Sequence, residues 1–122
     1  MDIIKNYEDL KVWQKAITLA DDIYEATQSF PKEEMFGLRQ QLRRAAVSIP
    51  SNIAEGSARG TRKDFAQFIS IARGSLAELQ TQLIIAKNRQ FIQEEAHNAL
   101  KEKTVELSKM LRALLASLKN TH

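Results

Sequence analysis

Four stretches of this chain carry an apolar residue at every third or fourth position, a period that belongs to helices and not to strands. Leu100, Thr104, Leu107, Leu111, Leu114 and Leu118 step by 4, 3, 4, 3, 4 and so share one helix face. Phe65, Phe68 or Ile69, Ala72, Leu76, Leu79, Leu83 and Ala86 repeat the pattern. Upstream, Leu10, Trp13, Ile17, Ala20, Tyr24 and Thr27 step by 3, 4, 3, 4, 3, and Met35, Leu38, Leu42, Ala45 or Ala46, Ile49 and Ile53 form another stripe. A striped helix hides its apolar face only by packing on another. Helices are predicted over about 8–28, 33–58, 62–89 and 94–118, each about 30 to 42 Å long at 1.5 Å per residue. Their connections are short, so neighbours run antiparallel. The expected fold is all-α: an antiparallel up-down-up-down four-helix bundle in one domain, 1–122, with the second helix kinked at Pro50.

Local chemistry supports these boundaries. Asn6 is a candidate N-cap with Glu8 and Asp9 in the first turn, where the helix dipole favours acids. Ser29-Phe30-Pro31 ends the first helix, because the residue before proline is pushed out of helical geometry. Glu33 and Glu34 suit the first turn of the second helix, and Pro50 removes a donor from its interior. Gly56 and Gly60 are read as its exit. Thr61 followed by Asp64 resembles a capping box opening the third helix, and Arg89-Gln90-Phe91-Ile92-Gln93 makes a short turn into the fourth.

Composition narrows the function classes. With 122 residues, 43% of them hydrophobic and 27% charged, the chain matches soluble globular proteins rather than disordered ones. It has no cysteine, which excludes disulfides, thiolate metal sites and cysteine nucleophiles. No run approaches the roughly 18 apolar residues of a membrane span, and MDIIKNYEDLKV lacks a signal-peptide pattern. A cytoplasmic protein with no membrane partner is expected.

The net charge of +3 is unevenly spread. Residues 1–36 carry four Lys against eight Asp or Glu, a balance of −4. Residues 37–89 carry nine Lys or Arg against Glu55, Asp64 and Glu78, a balance of +6, and residues 90–122 stand at +1. The central cations are mostly arginines, whose planar fork suits phosphate or carboxylate. Arg39 and Arg43 are four apart on one face with Arg44 adjacent, while Arg59, Arg62 and Lys63 cluster at the turn into the third helix. Such a set suits phosphate contacts with RNA or DNA, without base readout. The other reading is a solvated face whose arginines bridge subunits to the acidic first helix.

The stretch Ala45 to Gly56 sets small residues and short polar side chains around Pro50. Ser48, Ser51 and Asn52 are suited to bonding the backbone groups that a proline leaves exposed. Ala72-Arg73-Gly74-Ser75 is its candidate partner, with Gly74 sensible where a backbone or bulky side chain crosses over it. Glu55 and Arg73, if buried, are expected to pair. Glu94 and His97 make one Glu-x-x-His spacing, but a di-iron bundle needs two and this chain has no second internal histidine, so a solvated helix start is expected. Neither His97 nor His122 follows a nucleophile turn, and the glycines form no phosphate-cradling motif. The chain is therefore expected not to be an enzyme and to use no cofactor or metal. Trp13, Tyr24, Phe36, Phe68, Ile84, Ile85 and Leu115 exceed what the seams of one bundle need, which points to self-association.

Several runs carry a family resemblance over about Tyr7 to Leu118. They are Leu10-Lys11-Val12-Trp13-Gln14-Lys15-Ala16, Phe30-Pro31-Lys32-Glu33-Glu34, the unbroken run Leu38 to Gly56, and Ile71-Ala72-Arg73-Gly74-Ser75-Leu76-Ala77-Glu78-Leu79. In these the chain resembles the family of the 23S rRNA intervening-sequence protein, four-helix bundles with no established enzymatic activity. That family is similar to the accessory protein of diversity-generating retroelements, a pentamer that binds nucleic acid and a reverse transcriptase. The resemblance implies a homo-oligomer, a pentamer by analogy, associated with RNA or DNA and with a reverse transcriptase or another protein as a further partner.

Overall fold

The computed structural model describes residues 6–120; His122 lies outside them. Four α-helices make up the described chain: α1 (Lys11–Thr27), α2 (Leu38–Ala58), α3 (Arg62–Asn88) and α4 (Glu94–Lys119). Short 3-10 turns at Tyr7–Asp9 and Lys32–Glu34 precede α1 and α2. Each helix packs on two neighbours, in the cyclic order α1, α2, α3, α4, while the backbones of diagonal pairs stay apart. Cross-helix pairs run in opposite senses, as Lys15 with Glu106 and Asp22 with Lys103 between α1 and α4. The fold is an antiparallel all-α four-helix bundle.

The core is a single cluster whose largest members include Leu19, Ile23, Leu42, Ile49, Ile53, Ile69, Leu79, Leu83, Leu107 and Leu111. The stripes read for α3 and α4 point inward, with Leu115 buried as well. In α1 the buried face is rotated by about one residue from the expected one. Val12, Ala16, Leu19, Ile23 and Thr27 face inward, while Trp13 is half-buried and Tyr24 is exposed. Both faces of α1 have helical spacing. The buried one combines small alanines, which let helices approach, with aliphatic side chains, leaving the polar atoms of Trp13 and Tyr24 near water.

Helix α2 begins at Leu38, not near Glu33. Gly37 has φ −108° and ψ −119°, outside helical geometry, and the Glu34 carboxylate accepts a 2.9 Å hydrogen bond from the Leu38 N–H. Glu34 thus caps the helix from outside instead of joining its first turn. The helix then continues through the buried Pro50 to Ala58. The Asn52 amide donates to the Ser48 carbonyl at 2.8 Å and to Ser48 Oγ at 2.9 Å, so a side chain does extra hydrogen bonding beside the proline. Ser48 Oγ reaches Ser75 Oγ on α3 at 2.8 Å.

Gly56 lies inside α2, buried, and is not part of its exit. A Cβ there would meet Phe68 Cβ at 2.6 Å and Phe65 Cδ1 at 3.1 Å. Its missing side chain lets α3 cross closely. Gly60 alone forms the exit read from the sequence, and its φ of +87° places it in the left-handed region. Thr61 caps α3 by accepting from the Asp64 N–H at 3.1 Å. At the other end of α3, Gln90 sits at φ 63°, with Phe91 N–H bonded to Ala86 O and Gln90 N–H to Lys87 O. This Schellman closure turns the chain within five residues. It brings the Phe91 ring to 5.4 Å from Phe30, so the α1–α2 and α3–α4 connections close the same end of the bundle.

Candidate nucleic-acid interface

The six cations singled out in the sequence occupy two regions, not one. Arg39, Arg43 and Arg44, on the first turns of α2, line an open cleft of about 630 Å³ with Tyr24, Phe36 and Val47. No Asp or Glu lines it. Arg62 and Lys63 line a second groove, of about 470 Å³, with Lys119 at the other end of the bundle. From Arg44 to its end at Ala58, helix α2 runs about 21 Å at 1.5 Å per residue and so separates the two. Arg59, near the second region, is already engaged: its guanidinium pairs with Glu55 at 3.1 Å and lies 4.9 Å from the Phe68 ring centroid. Arg62 donates to the Ser117 carbonyl at 2.7 Å, tying α3 to α4.

Within the first cleft the arginines differ. Arg43 is half-buried and structural: its Nε donates to Thr27 Oγ1 at 2.8 Å, Nη2 donates to the Tyr24 carbonyl at 3.2 Å, and its guanidinium stacks 4.4 Å over the Tyr24 ring. Arg39 and Arg44 form no salt bridge among the described residues. Among the described residues, no acid of the first segment pairs with them. Asp22 turns instead to Lys103, and the two remaining inter-helix charges that pair are Lys15 and Glu106 at 3.2 Å. Among the described residues, the amino-terminal end of α2 thus presents Arg39 and Arg44 without a carboxylate partner, beside exposed Phe36 and Met35.

The residues read as a structural motif are differently disposed. Pro50 is buried within α2, and Asn52 beside it bonds Ser48 one turn back. Glu55 is exposed and pairs with Arg59, one turn along its own helix, and not with Arg73, which forms no salt bridge among the described residues. The i,i+4 partner is simply nearer, and an exposed carboxylate has no desolvation to offset by crossing to α3. Around Gly74, a Cβ would meet nothing within 4 Å, so no described segment crosses it. The close approach that the sequence assigned to Gly74 occurs at Gly56.

His97 also departs from expectation. It is buried, 4% exposed, rather than solvated. Its position extends the α4 stripe by one more step of three before Leu100, a signal present in the sequence and outweighed by its polarity. Burial lowers its pKa from the usual 6.5, and Lys87 and Lys101 lower it further, against the opposing effects of Asn98 and Glu94. It lines a groove between α3 and α4 with Ile84 and Val105. No helix is long and apolar enough to cross a membrane among the described residues.

Comparison with solved structures finds a similar bundle in a protein of unknown function from the S23 ribosomal protein family of Bacteroides thetaiotaomicron. The two superpose with a TM-score of 0.77 at 23% identity, covering 85% of this chain and 97% of the other. No curated protein matches the chain. The model of the 23S rRNA-intervening sequence protein family matches residues 8–113, which take in α1 to α3, most of α4 and the α2 cleft. The chain belongs to the 23S rRNA-intervening sequence protein family.

Proposed function

We propose that this protein is a non-enzymatic, cytoplasmic binding module that engages RNA or DNA through the phosphate backbone at the amino-terminal end of α2. The observation that carries this reading is the cleft lined by Arg39, Arg43 and Arg44 with no carboxylate. Guanidinium groups left without acidic partners favour a polyanion, and contacts confined to phosphates confer affinity without sequence preference. Arg39 and Arg44 are the contacting cations in this reading, with Arg43 holding the floor of the cleft through Thr27 and Tyr24.

The module acts as a homo-oligomer. Support comes from apolar side chains that the bundle leaves exposed, among them Ile71, Ile84 and Ile85, each 45 to 51% accessible. A pentamer is the assembly the family resemblance implies. A second reading draws on the same surface: a protein-interaction scaffold in which Arg39 and Arg44 meet the acidic first segment of another copy, with no nucleic acid involved.

The test is an Arg39→Gln/Arg44→Gln variant, assayed by fluorescence anisotropy with labelled RNA and DNA at about 50 and 200 mM salt and by light scattering for mass. Binding is expected to weaken, and the slope of log affinity against log salt to shrink by roughly 1.4 for a single strand as two phosphate contacts are lost. Unchanged affinity and slope would refute the reading. Loss of the oligomer with no binding by the parent protein would establish the scaffold instead.

A further inference from the structure

We propose that the α2 cleft is built for single-stranded nucleic acid, with an unpaired base stacked on Phe36; this rests on the phosphate-binding reading above and makes it specific. Phe36 is 83% exposed, more than any other large hydrophobic residue described. An isolated exposed phenylalanine means little. This one stands in the same cleft as three guanidinium groups, beside Met35 and Tyr24, which are 45% and 43% exposed. Rings interleaved with cations are the surface that a single strand needs, since it offers both phosphates and open base faces. A duplex keeps its base faces stacked inside and would meet the arginines while leaving Phe36 without a partner.

The geometry also distinguishes the two rings. The Arg43 guanidinium already occupies one face of the Tyr24 ring at 4.4 Å, so the more exposed Phe36 is the better platform for a base. Its backbone is held in place: the turn before α2 is closed by the Gly37 N–H bonded to the Glu34 carbonyl at 3.1 Å and the Leu38 N–H bonded to the Glu34 carboxylate. The Glu34 carboxylate is thereby bonded to the helix start, and Glu34 is not among the residues that line the cleft. At about 630 Å³ the cleft falls within the roughly 300–1,000 Å³ of small-ligand sites, enough for a nucleotide-sized unit. A second copy seated here through a two-fold axis would bring arginines against arginines, which disfavours it as the occupant.

The experiment compares the parent protein with Phe36→Leu, which keeps an apolar side chain at an exposed site and removes the ring. The probes are labelled single strands of about 12 nucleotides, as RNA and as DNA, and the matching DNA duplex, all at one salt concentration. The parent is expected to bind the single strands more tightly than the duplex. Phe36→Leu is expected to weaken single-strand binding by about 10-fold and leave duplex binding unchanged. Equal loss on both probes, or no loss on the single strand, overturns the stacking proposal; if Arg39→Gln/Arg44→Gln still weakens binding, the phosphate reading survives it. A parent protein that binds neither probe defeats both. A change of mass by light scattering in Phe36→Leu would show that a second copy covers the ring, and overturns the proposal as well.

Discussion

Adding one methyl group at Gly56 is expected to do the opposite of adding one at Gly74, although both glycines sit inside helices. In an open helix interior, alanine for glycine stabilises by about 1 kcal/mol, because the glycine backbone loses more freedom on folding. Gly74 meets that condition, with nothing within 4 Å of a built Cβ. At Gly56 the new carbon would lie 2.6 Å from Phe68 Cβ, whereas carbon atoms in contact prefer about 3.5–4.0 Å. Phe68 Cβ is fixed by the α3 backbone, so rotation of the ring gives no relief. Helices α2 and α3, the most extensively packed pair, must separate by about 1 Å locally. Overpacking of this kind costs about 1–3 kcal/mol, and the short distance puts this case near 3. After the gain of about 1 kcal/mol in helix propensity, Gly56→Ala is expected to destabilise by about 2 kcal/mol. For a chain of this size that lowers Tm by about 8 °C, while Gly74→Ala raises it by about 4 °C. Thermal and urea melts at fixed protein concentration measure both. A Gly56→Ala protein as stable as the parent or more so would refute the close-approach argument. A Gly74→Ala protein that loses mass by light scattering would mean that another copy crosses that helix.

Two further expectations concern buried polar groups. The Thr27 hydroxyl, fully buried, donates to the Ile23 carbonyl at 2.7 Å and accepts from Arg43 Nε at 2.8 Å. Thr27→Val keeps the shape but strands the Arg43 donor, so about 1–2 kcal/mol should be lost, with a coupling of about 1 kcal/mol to Arg43→Ala in a double-mutant cycle; zero coupling would contradict the contact. His97 has its pKa lowered in the folded chain by burial, then by Lys87 and Lys101, so the unfolded chain takes up its proton first. The stability from neutral burial is therefore present above the unfolded value of 6.5 and lost as pH falls towards the lower folded value. Melts across that window should show the decline in the parent and a smaller one in His97→Leu, and equal declines would place the titrating group elsewhere.

Helix number and order were legible in the spacing of apolar residues, and antiparallel packing in the short connections between them, because striped helices joined by a few residues have few ways to bury their apolar faces. The Thr61 cap and the Gly60 exit were equally legible, since both depend on chemistry within a few residues of chain. Where two solutions had the same local cost, sequence could not choose between them. Helix α1 has two apolar stripes one residue apart, and only packing against α2 and α4 selects Val12, Leu19 and Ile23 over Trp13 and Tyr24. Gly56 and Gly74 are alike as letters; distance to α3 makes one a contact and leaves the other open. The candidate cations all fall in the central segment of the sequence, yet the stretch of helix between Arg44 and Arg59 carries their two clusters to opposite ends of the bundle. Side-chain partnerships then divide the cations further, with Arg43 committed to Thr27, Arg59 to Glu55, and Arg39 and Arg44 left facing the cleft. Local composition determines which elements form, but which charges remain unneutralised depends on three-dimensional neighbours, and those exist only once the helices have packed.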